Sequence, residues 1–202
     1  MPVKENRKVT VKVKSLEELQ GLEENVMHAV LEDKGKIREF SRHVNLLPSG
    51  KSRVGGFVES TAQVSSTAYV GPKAVVAGNA QIKDNSRIDC TAIVSGDVVV
   101  SGEASVFGNA RVSGYVQISG YAMIFGNAKI LDSEISDNAL VFGYAVVQLS
   151  RITDSCICDN AKVYDSDVHD TEAKGDAYIW KSLVGFEERL KGQIRQNPPN
   201  QK

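Results

Sequence analysis

The chain has 202 residues with 24 basic and 25 acidic side chains, so a net charge of −1 announces no polyanionic or polycationic partner. Three cysteines (Cys90, Cys156, Cys158) without framework spacing argue against a disulfide-built secreted domain and fit a reducing, cytoplasmic setting. No stretch approaches the about 18 apolar residues of a membrane helix, and the opening Met-Pro-Val-Lys-Glu-Asn-Arg-Lys lacks the apolar run of a secretory signal.

In chain order, residues 9–14 alternate as a short strand. Ser15 and Glu18 form a capping box, and Leu16, Leu19, Leu22, Val26 and Val30 predict a helix running to about Asp33, ended by Lys34-Gly35-Lys36. This helix contains His28, and a basic connector with His43 comes after it. Residues 1–53 are too few for a core of their own. They are expected to form a strand-helix cap over the first turn of the repeat that begins near Val58.

From Val58 to Ile130 a valine or isoleucine falls at every sixth position. Two places before most of them stands a small residue, such as Ala62, Ala68, Ala74 or Ala80. Neither a helix nor a half-buried strand has a period of six, so the segment predicts an all-β triangular solenoid over residues 54–181. The inward series continues through Ile135, Val141, Val147, Ile152, Ile157, Val163, Val168, Ala173, Ile179 and Val184, now five or six apart, so the coil tightens without breaking. The inward positions predict seven to eight turns, a rod of roughly 35 Å at the ordinary strand spacing. Gly-Asn-Ala at 78–80, 108–110 and 126–128 supplies corner residues that tolerate positive φ. Residues 182–196 predict a C-terminal helix with Leu183, Phe186, Leu190 and Ile194 on one stripe, Trp180 burying its junction with the solenoid, and 197–202 a disordered tail.

Charge is uneven: net +3 over residues 1–53, −7 over 54–179 and +3 over 180–202. End-to-middle contacts and an ordinary solubilising surface both explain this. The basic N-terminal segment also carries eight acids and no Tyr or Trp to stack on bases, so nucleic acid is not the expected partner. Cys156 and Cys158 straddle inward Ile157, with only His169 near enough to join a metal site, so no metal is expected. Corner geometry accounts for the late aspartates without calcium.

Phe107, Phe125 and Phe142 each stand one place after an inward residue at spacings of 18 and 17, which predicts an outward aromatic ladder. Tyr115, Tyr121 and Tyr144 stand next to corners, and Met123 is expected to flank the ladder. An exposed stripe of this kind predicts a partner surface. The expected partner is another copy of the chain, in a homotrimer packed around a threefold axis, with a heterologous protein or a small-molecule ligand as the alternative.

The Val/Ile and Ala columns with Gly-Asn-Ala corners resemble the hexapeptide-repeat superfamily over about residues 57–184, in the style of bacterial and phage members labelled transferase-like. The resemblance implies a left-handed parallel β-helix and trimers. It implies two functions: a non-catalytic scaffold or binding protein without cofactor, or an acyltransferase using acetyl-CoA in an intersubunit site. A histidine serves as general base in such enzymes, and His169, beside Asp167, Asp170 and Glu172, is the one solenoid candidate. No extruded loop interrupts the coils to build a substrate pocket, which favours the scaffold. The γ-class carbonic anhydrases of the superfamily need three histidines around zinc and are excluded.

Overall fold

The computed structural model describes residues 10–47, 49–185 and 189–191. The chain is an all-β parallel solenoid with a single short helix among the described residues. Three faces recur in each turn. Face A carries inward Val76, Val94, Val112, Ile130, Val147, Val163 and Ile179. Face B carries Ile82, Val100, Ile118, Ile135, Ile152, Val168 and Val184, and face C carries Val70, Ile88, Val106, Ile124, Val141, Ile157 and Ala173. All of these fall in one buried core, with the corner alanines between them.

Parallel registers give the turn length directly. Val112 pairs with Ile130, Ile130 with Val147, and Val147 with Val163, so a turn shortens from 18 to 17 to 16 residues, as the spacing predicts. Face C forms a separate sheet of eight strands. The stack is about ten layers long, against the seven to eight expected. The excess comes from the cap, whose first three strands continue face A beyond the first turn.

One rule governs the corners. From Val76 onward the residue two places after an inward position has positive φ, and its usual occupants are glycine (Gly78, Gly96, Gly108, Gly126, Gly143) and aspartate (Asp84, Asp132, Asp154, Asp165, Asp170). The aspartates also bond to neighbouring turns: Asp132 Oδ1 accepts from Tyr115 N–H (2.8 Å) and Asp159 Oδ2 from Gly175 N–H (3.0 Å). This explains the acidic late turns, which are corner chemistry. Where a corner loses a residue, a buried hydroxyl replaces alanine. Ser150 Oγ donates to Gln148 O (2.7 Å) and accepts from Ser166 N–H (3.1 Å), and Ser166 repeats both bonds with Tyr164 O and Ser182 N–H.

The cap differs from expectation in secondary structure. Strand β1 (Thr10–Val13) leads to α1 (Leu16–Gln20), N-capped by Ser15 as expected, but Gly21 ends the helix after five residues. Strand β2 (His28–Asp33) then forms a hairpin with β3 (Lys36–Leu46). Lys34 and Gly35 both have positive φ, the signature of a type I′ hairpin turn. The pair expected to stop a helix turns a strand, and His28 lies in β2. The hairpin continues antiparallel into β4 (Ser52–Glu59), the first solenoid strand.

The cap covers more than the end of the stack. Val13, Leu19, Ala29, Leu31 and Phe40 pack against outward-facing Phe57, Val75, Ala77 and Ile93, so the lower part of face A is a second core. The end of face C is closed by Asn45, 2 % exposed. Its Nδ2 donates to Val70 O and its Oδ1 accepts from Val70 N–H, both at 2.8 Å, so one side chain stands in for a missing strand.

Arg42, 6 % exposed, donates to five backbone carbonyls, those of Leu22, Glu23, Val26, Gly55 and Pro72, at 2.5–3.2 Å. Its guanidinium lies 4.1 Å from the centre of the Phe57 ring. Arg38 grips buried Glu59 through Nε (2.8 Å) and an NH2 nitrogen (2.5 Å), and Gly78 N–H donates to the same carboxylate (2.6 Å). Burial alone would raise the Glu59 carboxyl, but the Arg38 and Gly78 hydrogen bonds outweigh it and hold it below the usual carboxylate range. A depressed folded value stabilises the fold above the unfolded carboxyl pKa of about 4.3, and that contribution is lost as pH falls through the folded value. Glu59→Gln is therefore expected to lower the urea midpoint at pH 7 and to lose less stability than wild type on going to pH 3. Parallel pH profiles would exclude the assignment.

The expected C-terminal helix is replaced over the described residues by strands at Leu183–Val184 and Arg189–Lys191, paired in parallel with Asp167–Val168 and Glu172–Lys174. The exposed rung below offers unpaired backbone groups, and these override a stripe of helical period. Residues 186–188 and 192–196, and the tail 197–202, lie outside the described residues.

Candidate functional site

The phenylalanine ladder forms on face C because each ring comes one position after an inward residue and so points outward. Phe107 and Phe125 stack with ring centres 4.9 Å apart, and Phe125 and Phe142 at 4.8 Å, all within 3° of parallel. The rings are half-buried by one another and leave their outer edges to solvent. Beside them, one place before the inward residues, run Met123, Leu140 and Cys156, and Cys158 occupies the rung above Phe142. Ion pairs bracket this apolar field. Below it Arg87 pairs with Asp89 and lies 4.1 Å over the Tyr69 ring. Above it Lys174 Nζ meets Glu172 Oε1 at 2.9 Å.

The three tyrosines do not share this surface. Tyr121 projects from the B–C corner and Tyr144 from the C–A corner, flanking the ladder on either side. Tyr115 lies at the A–B corner, three positions past Val112, on the far side of the triangle. All three are exposed. The ladder and two of the three tyrosines therefore form one candidate surface. Leu140 and the two cysteines belong to it too, and the column one place before the inward residues was the signal for them.

Tyr115 instead opens a shallow groove of about 700 Å³ along the A–B corner, shared with Asp132, Leu149, Arg151, Asp165 and Lys181. The groove exists because this corner drops a residue after Ile130 and recedes. Leu149 and Lys181 hold positive φ there without being glycine, asparagine or aspartate.

His169 stands on face B directly after Val168, half-exposed, with Nε2 2.7 Å from Asp167 Oδ1. Asp167 is 3.7 Å from Arg151, which is 3.0 Å from Glu134, so opposite charges alternate up the face. Asp170 shares with His169 an open hollow of about 460 Å³ that also includes Leu183 and Gly185. Glu172 faces the other way, on face C with Lys174. The expected neighbours of His169 thus reduce to Asp167 and Asp170, and the histidine is on a different face from the aromatic ladder. The other histidines belong to the cap: His28 Nδ1 is 3.0 Å from Ser41 Oγ, and burial lowers the pKa of His43.

Cys156 is half-buried and Cys158 buried, on either side of inward Ile157. Burial pushes both thiols up, Cys158 to about 12. Trp180, expected to bury a junction with a helix, ends a face-A strand, with Lys181 Nζ 4.9 Å over its ring. Among the described residues no three His, Cys, Asp or Glu side chains gather as a metal site, and no helix is long and apolar enough to cross a membrane.

Fold and surface together define a class: a parallel β-solenoid with one capped end and one largely apolar outer face. No protein-family model matches the chain, and no curated protein matches it.

Proposed function

We propose that the chain is a non-catalytic, self-associating solenoid scaffold or binding protein, with face C as the subunit interface and a homotrimer as the assembly. The stacked Phe107, Phe125 and Phe142 rings carry this reading. Their outer edges, with Met123 and Leu140 alongside, form a flat apolar field that a second copy would remove from water at about 25 cal/mol per Å². The bracketing ion pairs would form its polar rim. Face B, and face A above the cap, stay free to engage another molecule. The repeat columns support placing the chain with the left-handed hexapeptide-repeat proteins, in which such assemblies are common.

The test is Phe125→Glu, which places a charge at the centre of the field, where burial without a partner is costly. The variant is expected to run as a monomer, with the far-UV circular dichroism of wild type, at a concentration where wild type is oligomeric. An unchanged oligomer would remove face C from the interface.

A second reading, the CoA-dependent acyltransferase, is favoured by the close approach of His169 and Asp167. A carboxylate beside an imidazole orients it as a general base. Stabilisation by acetyl-CoA, with acyl transfer lost in His169→Ala, would make this reading primary.

A further inference from the structure

Cys156 and Cys158 lie on either side of inward Ile157, so both side chains leave face C in the same direction. Both thiols therefore open on the same side of the strand, Cys158 buried and Cys156 with partial access to solvent. The rungs on either side differ in chemistry. Through the register Val141 to Ile157, the Phe142 ring lies under Cys158 and shields it from water. Through the register Ile157 to Ala173, Glu172 lies over Cys156 and Lys174 over Cys158, paired with each other at 2.9 Å. Nothing in the solenoid requires this arrangement, since neighbouring turns place Met123, Leu140 and phenylalanine at the equivalent positions.

We infer that Cys156 and Cys158 form a dithiol site for a soft, two-coordinate d10 cation, of which Cu(I) is the biological representative. Thiolate sulfur selects soft metals. Zinc would require four ligands, and among the described residues no third His, Cys, Asp or Glu joins the pair. Two-coordination is therefore what the site offers. On binding, each thiol releases one proton to solvent and two metal–sulfur bonds form, with no change of oxidation state. The product carries one negative charge and lies beside the Glu172–Lys174 ion pair. The pair stands at the upper end of the face proposed as the subunit interface, and metal binding is inferred from the pair itself and not from that assembly.

The experiment is an anaerobic titration of the full chain into the Cu(I)–bicinchoninate complex, read by loss of the chelator's colour. Wild type is expected to withdraw one equivalent of Cu(I). Cys156→Ser and Cys158→Ser should withdraw none, and Cys90→Ser should behave as wild type. Cys158→Ala keeps the buried position apolar and should match Cys158→Ser, which separates loss of the ligand from loss of the fold. The inference is overturned if wild type leaves the chelator complex intact, if either pair variant still withdraws a full equivalent, or if Cys90→Ser loses as much as they do.

Discussion

Arg42→Met is expected to lower the unfolding free energy by about 3–5 kcal/mol, the sum of several backbone carbonyls each losing its donor at about 1 kcal/mol. Methionine roughly conserves the apolar stem against Phe57, so the loss isolates the guanidinium. Five carbonyls from three separate segments would be left without their donor: the α1–β2 connection, β4, and the turn after Val70. Each buried carbonyl so orphaned costs about 1 kcal/mol or more. Arg42→Lys should recover little, because an ammonium has three donors in a compact head where a planar fork now spans five acceptors. Urea denaturation monitored by far-UV circular dichroism measures this. A loss below about 1 kcal/mol, no more than a single orphaned carbonyl, would mean that the cap is held by its apolar contacts alone.

Gly56→Ala is expected to destabilise by about 3 kcal/mol, at the upper end for overpacking. Gly56 has an ordinary φ, so the cost is purely spatial. An added Cβ would lie deep within the radius of Ala74 O and 2.5 Å from Gly71 O, both backbone atoms that cannot swing aside. Relief would stretch the bond from Phe57 N–H to Ala74 O (3.1 Å), which ties the first turn to the second. Gly175→Ala makes the contrast: a Cβ there meets nothing within 4 Å, but φ is +66°, so only about 1–2 kcal/mol of left-handed strain is expected. Thermal melts of the two variants should fall in that order, and the reverse order would mean that corner strain outweighs crowding between turns.

The solenoid was legible because its inward residues obey a strict period that no other element produces, and the shortened turns keep that period modulo one corner residue. The termini misled for a shared reason. Leu16, Leu19, Leu22, Val26 and Val30 do trace a helical stripe, but Gly21 ends the helix and β2 keeps its own alternation through Ala29 and Leu31. Leu183 and Leu190 likewise fit a helix by spacing, yet the open edge of the last turn templates strand there. In both places pairing to an existing sheet edge decides over local periodicity. The cap's footprint on face A was readable in Phe57, Val75, Ala77 and Ile93, which are apolar where an outward residue is ordinarily polar. The phenylalanine ladder was fully predictable from spacing. The separation of Tyr115 from it was not, because assigning a corner residue to a surface requires knowing which corner it turns. Arg42 and Asn45 carry no sequence signal at all, since their partners are backbone atoms from distant segments.

The measurement that bears most directly on the scaffold reading is the mass of the wild-type chain in solution by sedimentation equilibrium, at micromolar concentration and without ligand. A value near three times the 21.9 kDa of one chain is the predicted result. A single species of 21.9 kDa across the concentration range would contradict it, leaving the Phe107, Phe125 and Phe142 edges in water and face C without a second copy.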